Sequence, residues 1–252
     1  MDIMLLSAST GEGHIKAAEA LGEYIGSKCC QSRIRIVDTL KFISPAVDRI
    51  VVGSYLNALK STPFIYRKLY KMSDSDKYIR SISNKISHLM SGRLEYLIND
   101  FNPSVIVCTH IFPLQMVSFI KRSKTITTPL VAVVTDFTNH GIWKQENVDA
   151  YVVSHKYIKD EMELCGINPH IVYTYGIPVS SCFMKRTQRN QVLVNLGMED
   201  KLTFLMMNGS LGLGSLKNVF NALINCKSDI QIIAVTGKNT RQKKELEDCA
   251  KR

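Results

Sequence analysis

An α/β fold is predicted by three observations: short runs rich in Ile and Val, helix-length amphipathic segments alternating with them, and glycine-bearing turns where a run passes into a helix. The runs at residues 3–6, 33–37, 105–108, 130–134 and 150–153 are the strands of the first part of the chain, and 204–207 and 231–235 repeat the signal later. Segments 13–28, 77–99, 155–165 and 215–225 carry apolar residues at helical spacing, and a charged helix is expected over 241–252. An uncharged stretch at 101–120 has the length of a membrane span, but Asn102, Pro103, His110, Pro113 and Gln115 interrupt it, so it reads as strand, loop and helix. No solenoid repeat is present.

Composition narrows the class. The 252 residues are 45% apolar and 21% charged, as in an ordinary globular protein, and 32 Lys and Arg against 22 Asp and Glu leave a charge of +10. That excess favours an anionic partner such as a lipid surface, a nucleic acid or a phosphorylated small molecule. No recognition-helix, zinc-finger or RNA-binding signature supports the nucleic-acid alternative. The opening Met1-Asp2-Ile3-Met4-Leu5-Leu6 lacks a basic n-region, so no export signal is read and a cytoplasmic location is expected. Seven cysteines without a C-x-x-C read as reduced thiols, with neither a disulfide framework nor a metal site expected.

Residues 41–96 differ from the rest. Ten Lys and Arg there face four acids, giving +6 of the total +10, and aromatics are interleaved among them. Phe64, Tyr66, Arg67, Lys68, Tyr70 and Lys71 carry that pattern, which suits either an amphipathic segment at an anionic membrane interface or a solvated helical excursion with its aromatics in the core. Farther on, Gly176-Ile177-Pro178-Val179 ends a strand and leads into a polar, basic stretch. A domain boundary is expected there, dividing the chain into 1–180 and 181–252.

Four strand ends carry candidate chemistry. Ser9-Thr10-Gly11-Glu12-Gly13-His14 follows the first strand and opens a helix, where glycines admit a ligand to free backbone N–H groups. It has neither the Lys-Ser/Thr end of a P-loop nor the full dinucleotide spacing. His14 therefore matters more than the glycines: in the first helical turn it faces the crevice of an open α/β sheet, as a proton acceptor near neutral pH or as a helix-capping histidine. Asp136, in Thr135-Asp136-Phe137 after the strand at 130–134, points into the same crevice as a general base or caps the next turn. His110, after Thr109, is an acceptor-site residue or a buried histidine. In the second unit Asn208-Gly209-Ser210-Leu211-Gly212-Leu213-Gly214 joins strand to helix, an anion cradle in which a diphosphate fits.

At these residues the chain resembles the monogalactosyldiacylglycerol synthase and processive diacylglycerol glucosyltransferase family, relatives of the transferase that adds N-acetylglucosamine to the peptidoglycan lipid precursor. Ser7-Ala8-Ser9-Thr10-Gly11-Glu12-Gly13-His14 with Ala17-Ala18, Val134-Thr135-Asp136-Phe137 with His140 and Trp143, Gly176-Ile177-Pro178-Val179, and Leu211-Gly212-Leu213-Gly214 are similar to its motifs and follow its order. The resemblance implies a GT-B fold, with a complete N-terminal Rossmann-like acceptor domain and a C-terminal Rossmann-like domain only partly present. It implies inverting transfer of a hexose from a UDP-sugar to the hydroxyl of diacylglycerol or a glycolipid, with no cofactor or metal, by a peripheral enzyme on the inner face of the cell membrane. Asp136 would be the base and His14 would position the acceptor or an anionic head group. Gly11, Gly13, His110, His140 and Trp143 would line the acceptor site, while Gly209, Ser210, Gly212 and Gly214 would hold the donor diphosphate. In the family the donor turn is a run of glycines, whereas Asn208 and Ser210 flank a single Gly209 here. The family's later ribose- and sugar-binding motifs have no counterpart up to Arg252, so a truncated, inactive enzyme or a non-catalytic lipid-binding module derived from one is the alternative expectation.

Overall fold

The structure is a computed structural model that describes residues 1–9, 12–44, 91–123, 125–138, 141–209, 215–226 and 228–250. The basic aromatic segment, with Phe64, Tyr66, Arg67, Lys68, Tyr70 and Lys71, lies outside the described residues. The chain forms two compact units, Met1–Met184 and Lys185–Arg252.

In the first unit β1 (Asp2–Ser7), β2 (Arg33–Asp38), β3 (Val105–Cys108), β4 (Leu130–Val133), β5 (Ala150–Val152) and β6 (Val172–Tyr173) form one six-stranded sheet in the order β2-β1-β3-β4-β5-β6. Every pairing is parallel. The α/β class is thus as expected, and β1 to β5 fall within one residue of the bounds read from the sequence. The helices of this unit are α1 (Glu12–Lys28), α2 (Thr39–Ile43), α3 (helical over 91–101), α4 (Ile111–Arg122) and α5 (Lys156–Leu164).

The strands are apolar on both faces because helices cover both. Ile3 and Leu5 point to a cluster with Ala18 of α1, Val107 and Val133. Met4 and Leu6, one residue out of phase, point to the opposite cluster with Leu94 and Ile98 of α3, Leu114, Val117 and Ile120 of α4, and Ile158 and Met162 of α5. Close seating of α1 depends on Gly22, where an added Cβ would lie 3.1 Å from Ile36 Cδ1 and 3.3 Å from Leu5 Cδ1. From β1 the chain runs to β2 on one side, and β3 pairs on the other side. The carboxyl ends of β1 and β3 therefore flank a topological switch point, where open α/β sheets have their ligand crevice.

The second unit holds α6 (Arg189–Leu196), β7 (Leu202–Met207), α7 (Lys217–Ile224), β8 (Ile230–Val235) and α8 (Thr240–Ala250), with β7 and β8 paired in parallel. Its buried core is Met206, Leu216, Phe220 and Leu246. Helix α6 has no counterpart in the sequence reading, since only Leu193 of its apolar residues is buried and no amphipathic stripe forms. Among the described residues no helix is long and apolar enough to cross a membrane.

Candidate active site

The switch point gathers side chains from three strand ends. His14, in the first turn of α1, directs Nδ1 to the carbonyl oxygen of Thr109 after β3, 3.2 Å away, and to Oγ1 of Thr135 after β4, 2.6 Å away. These partners are 95 and 121 residues distant along the chain. Below them Thr109 Oγ1 donates to the His14 carbonyl oxygen at 2.9 Å and pairs with the buried Ser7 hydroxyl at 2.9 Å. The start of α1 is thereby fastened to β3 by side chain and backbone together.

His110 is buried and caps α4, its Nδ1 accepting the Phe112 N–H at 3.1 Å. Of the two sequence readings for this residue, the buried histidine describes its surroundings, while its ring meets His14 edge-to-face with centroids 4.5 Å apart. It thus forms a wall of the His14 site. Asp136 lies beyond Thr135, half-buried, and its Oδ2 accepts the indole N–H of Trp143 at 3.0 Å. Trp143 is buried in a 3-10 turn at Gly141–Trp143, and its carbonyl oxygen accepts the Tyr151 hydroxyl at 3.0 Å. The carboxylate is therefore held by a rigid donor on one oxygen, and Oδ1 accepts no hydrogen bond among the described residues.

Electrostatics keep the imidazoles neutral. Burial pulls the His14 value below the ordinary histidine range, against opposing contributions from the Asp136 charge and the Thr109 carbonyl. The positive end of the α1 dipole acts in the same direction as burial. His110 is held well below that range by burial and by the neighbouring His14. At neutral pH the crevice thus offers an uncharged imidazole, one nitrogen of which carries a lone pair that can accept a proton, near the Asp136 side chain.

The loop before α1 has a second anchor. Ser9 Oγ donates to Asp38 Oδ2 at 2.6 Å, and Lys41 Nζ lies 2.9 Å from the same oxygen. Burial raises the Asp38 carboxyl, but the hydrogen bonds from Ser9 and Lys41 outweigh it and leave the carboxyl below its usual range. Sequence reasoning assigned no role to Ser7, Asp38, Thr109 or Thr135. A signal was present, because a hydroxyl residue ends or follows each of β1, β3 and β4, but its meaning depends on the strand order.

Gly13 is exposed, and an added Cβ there meets nothing within 4 Å. Gly11 and His140 lie outside the described residues, as do Ser210, Gly212 and Gly214. Gly209 follows β7 with φ +67°, a backbone that side-chain-bearing residues rarely adopt. Among the described residues no group of three His, Cys, Asp or Glu is arranged to hold a metal ion.

Residues 14–179 match the monogalactosyldiacylglycerol (MGDG) synthase family, a span that begins at His14 and contains Thr109, Thr135, Asp136 and Trp143. Processive diacylglycerol beta-glucosyltransferase of Bacillus licheniformis is 29% identical over 252 residues, covering 98% of this chain and 64% of the relative. The chain therefore spans less than two thirds of that relative's length. Among solved structures, Anabaena HepE in complex with UDP-glucose aligns at 12% identity with a TM-score of 0.55, over 100% of this chain and 66% of that one. MurG of Acinetobacter baumannii aligns at 12% identity and a TM-score of 0.51, over 100% of this chain and 63% of that one. These likenesses identify the fold as the GT-B α/β type.

Proposed function

The chain belongs to the MGDG synthase family, and from that premise we propose that it serves in transferring a hexose from a UDP-sugar to the hydroxyl of diacylglycerol or a glycolipid. The first unit takes the acceptor and the second contributes to holding the donor. The observation that carries this reading is the convergence of His14 and Thr135-Asp136 at the switch point, inside the matched span.

Asp136 acts as the base. With Oδ2 fixed by the Trp143 indole, Oδ1 takes the proton of the acceptor hydroxyl as that oxygen attacks the anomeric carbon. The new bond joins acceptor oxygen to anomeric carbon, the bond to the diphosphate breaks, UDP departs with the electron pair, and configuration inverts. His14 orients the hydroxyl, and Gly11, Gly13, His110, His140 and Trp143 are assigned to the acceptor. Gly209, Ser210, Gly212 and Gly214 are assigned to the departing diphosphate, whose charge is stabilised without a metal. A second reading exchanges the roles of the pair. It is favoured by the neutral His14 ring, anchored through Nδ1, which would take the proton at Nε2 while Asp136 stabilises the imidazolium.

The basic aromatic segment meets the anionic inner face of the membrane. Replacing Arg67, Lys68 and Lys71 by Gln should weaken binding to anionic vesicles by about 1 kcal/mol per residue, as read by vesicle sedimentation. Unchanged binding would move the membrane-facing surface elsewhere. For the reaction, the chain is supplied with labelled UDP-glucose or UDP-galactose and vesicles containing diacylglycerol, both alone and joined to the remaining length of the Bacillus licheniformis relative. Transfer by the joined protein that is lost in Asp136→Asn supports the reading. Vesicle binding with no transfer from either form favours a non-catalytic lipid-binding module.

A further inference from the structure

We propose that Thr135 is a positioning residue: its hydroxyl, together with the Thr109 carbonyl, holds His14 as the Nδ1–H tautomer and leaves Nε2 unprotonated. The inference deepens the proposed acceptor chemistry and rests on that reading for its purpose, but the tautomer stands on geometry alone. A backbone carbonyl oxygen only accepts, and the Thr109 oxygen lies 3.2 Å from His14 Nδ1. A proton on Nδ1 makes that approach a hydrogen bond, whereas a lone pair there would set two acceptors against each other. Thr135 Oγ1, 2.6 Å from the same nitrogen, is the nearer acceptor of that proton, and its own hydroxyl hydrogen points to the Thr109 oxygen at 3.4 Å. Three groups thus close a small ring of donors and acceptors.

The neighbouring histidine is held the other way. His110 Nδ1 accepts the Phe112 N–H, so its lone pair is on Nδ1 and the proton of the neutral ring is on Nε2. Two imidazoles in edge-to-face contact therefore carry opposite tautomers, one set by a threonine and a strand-end carbonyl, the other by a helix cap. The arrangement gives Thr135 a task that the motif alone does not reveal. It orients the ring beside Asp136 and leaves His14 Nε2 able to accept from a hydroxyl, whether that nitrogen orients the acceptor or takes its proton.

Long-range 1H–15N correlation of the imidazole nitrogens in the 252-residue chain, at a pH where both rings are neutral, tests this without any transfer reaction. His14 should give a protonated Nδ1 and a pyridine-like Nε2, and His110 the reverse. In Thr135→Val the His14 ratio of Nδ1–H to Nε2–H should fall about fivefold, the weight of one ordinary hydrogen bond, while Thr135→Ser keeps the original ratio. An Nε2–H tautomer at His14 in the unmodified chain, or an unchanged ratio in Thr135→Val, overturns the proposal. The His110 pattern serves as control for local folding; if Val disturbs it, the same fall in Thr135→Ala against Thr135→Ser decides. Loss of sugar transfer with this pattern intact counts against the functional reading and leaves the positioning role standing.

Discussion

Strands β1 and β7 are alike in sequence, each an apolar run in a parallel pairing, yet their surroundings differ. Met4, Leu5 and Leu6 of β1 are 0% exposed, whereas Leu205 and Met207 of β7 are 60% and 59% exposed. β1 lies between two neighbours with helices on both faces, while β7 has β8 as its partner among the described residues. An apolar run therefore specifies a strand, and the neighbours specify what that strand buries. The difference extends to chemistry: Ser9 is bonded to Asp38 at the end of β2, and His14 takes one orientation from the Thr109 carbonyl after β3 and the Thr135 hydroxyl after β4.

The largest expected effect belongs to the ordered first unit. In the joined protein, Asp136→Asn should lower turnover by about 100- to 10,000-fold, the usual weight of a general base, with vesicle binding retained. Steady-state rates check this, and full turnover in the variant would transfer the role of base to His14. Next, Leu5→Ala should cost about 2–5 kcal/mol in urea unfolding. Leu205→Ala, which removes an exposed side chain, should stay within about 0.5 kcal/mol. Equal costs at the two positions would contradict the contrast in burial.

Acid should also separate the units. All six histidines precede residue 171, so Lys185–Arg252 contains none. His14 and His110 both lie below the ordinary value of 6.5, so the unfolded chain binds their protons first. The stability they contribute is complete above about pH 6.5 and is lost as pH falls toward their folded values. Unfolding of the first unit, followed by Trp143 fluorescence, should weaken across that window, and His110→Asn, which keeps a capping side chain, should reduce the loss. A midpoint independent of pH between about 7.5 and 5.5, one unit either side of the free value, would contradict it.

The smallest effects compare two glycines. Gly13→Ala should leave stability unchanged or raise it by a few tenths of a kcal/mol, since the position is helical and open, while weakening diacylglycerol binding if the acceptor passes close to it. Gly209→Ala should cost about 1–2 kcal/mol, because φ +67° is strained for alanine. Thermal unfolding of the two variants orders them.

Much of the first unit was legible because burial on both faces leaves unbroken apolar runs in β1, β3 and β4. Val172–Tyr173 is too short for any periodicity to be read, and α2, five residues long, is a capped turn set by Asp38 more than by a stripe. The site was legible residue by residue and not as a constellation. His14 and Asp136 stood out by chemistry at strand ends, but the hydrogen bond that orients His14 spans 121 residues, and only the order β2-β1-β3-β4 brings Thr135 to it. Exposure of β7 was illegible for the complementary reason, since its sequence is as apolar as that of a buried strand.

The most direct test of the central claim, that the crevice at His14 and Asp136 receives the acceptor hydroxyl, is the imidazole 1H–15N spectrum of the chain in anionic bicelles titrated with diacylglycerol. A saturable shift of His14 Nε2 that depends on diacylglycerol, with His110 Nδ1 still bonded to its helix cap, is the predicted result. Binding to the bicelles with the His14 signals indifferent to diacylglycerol would contradict it.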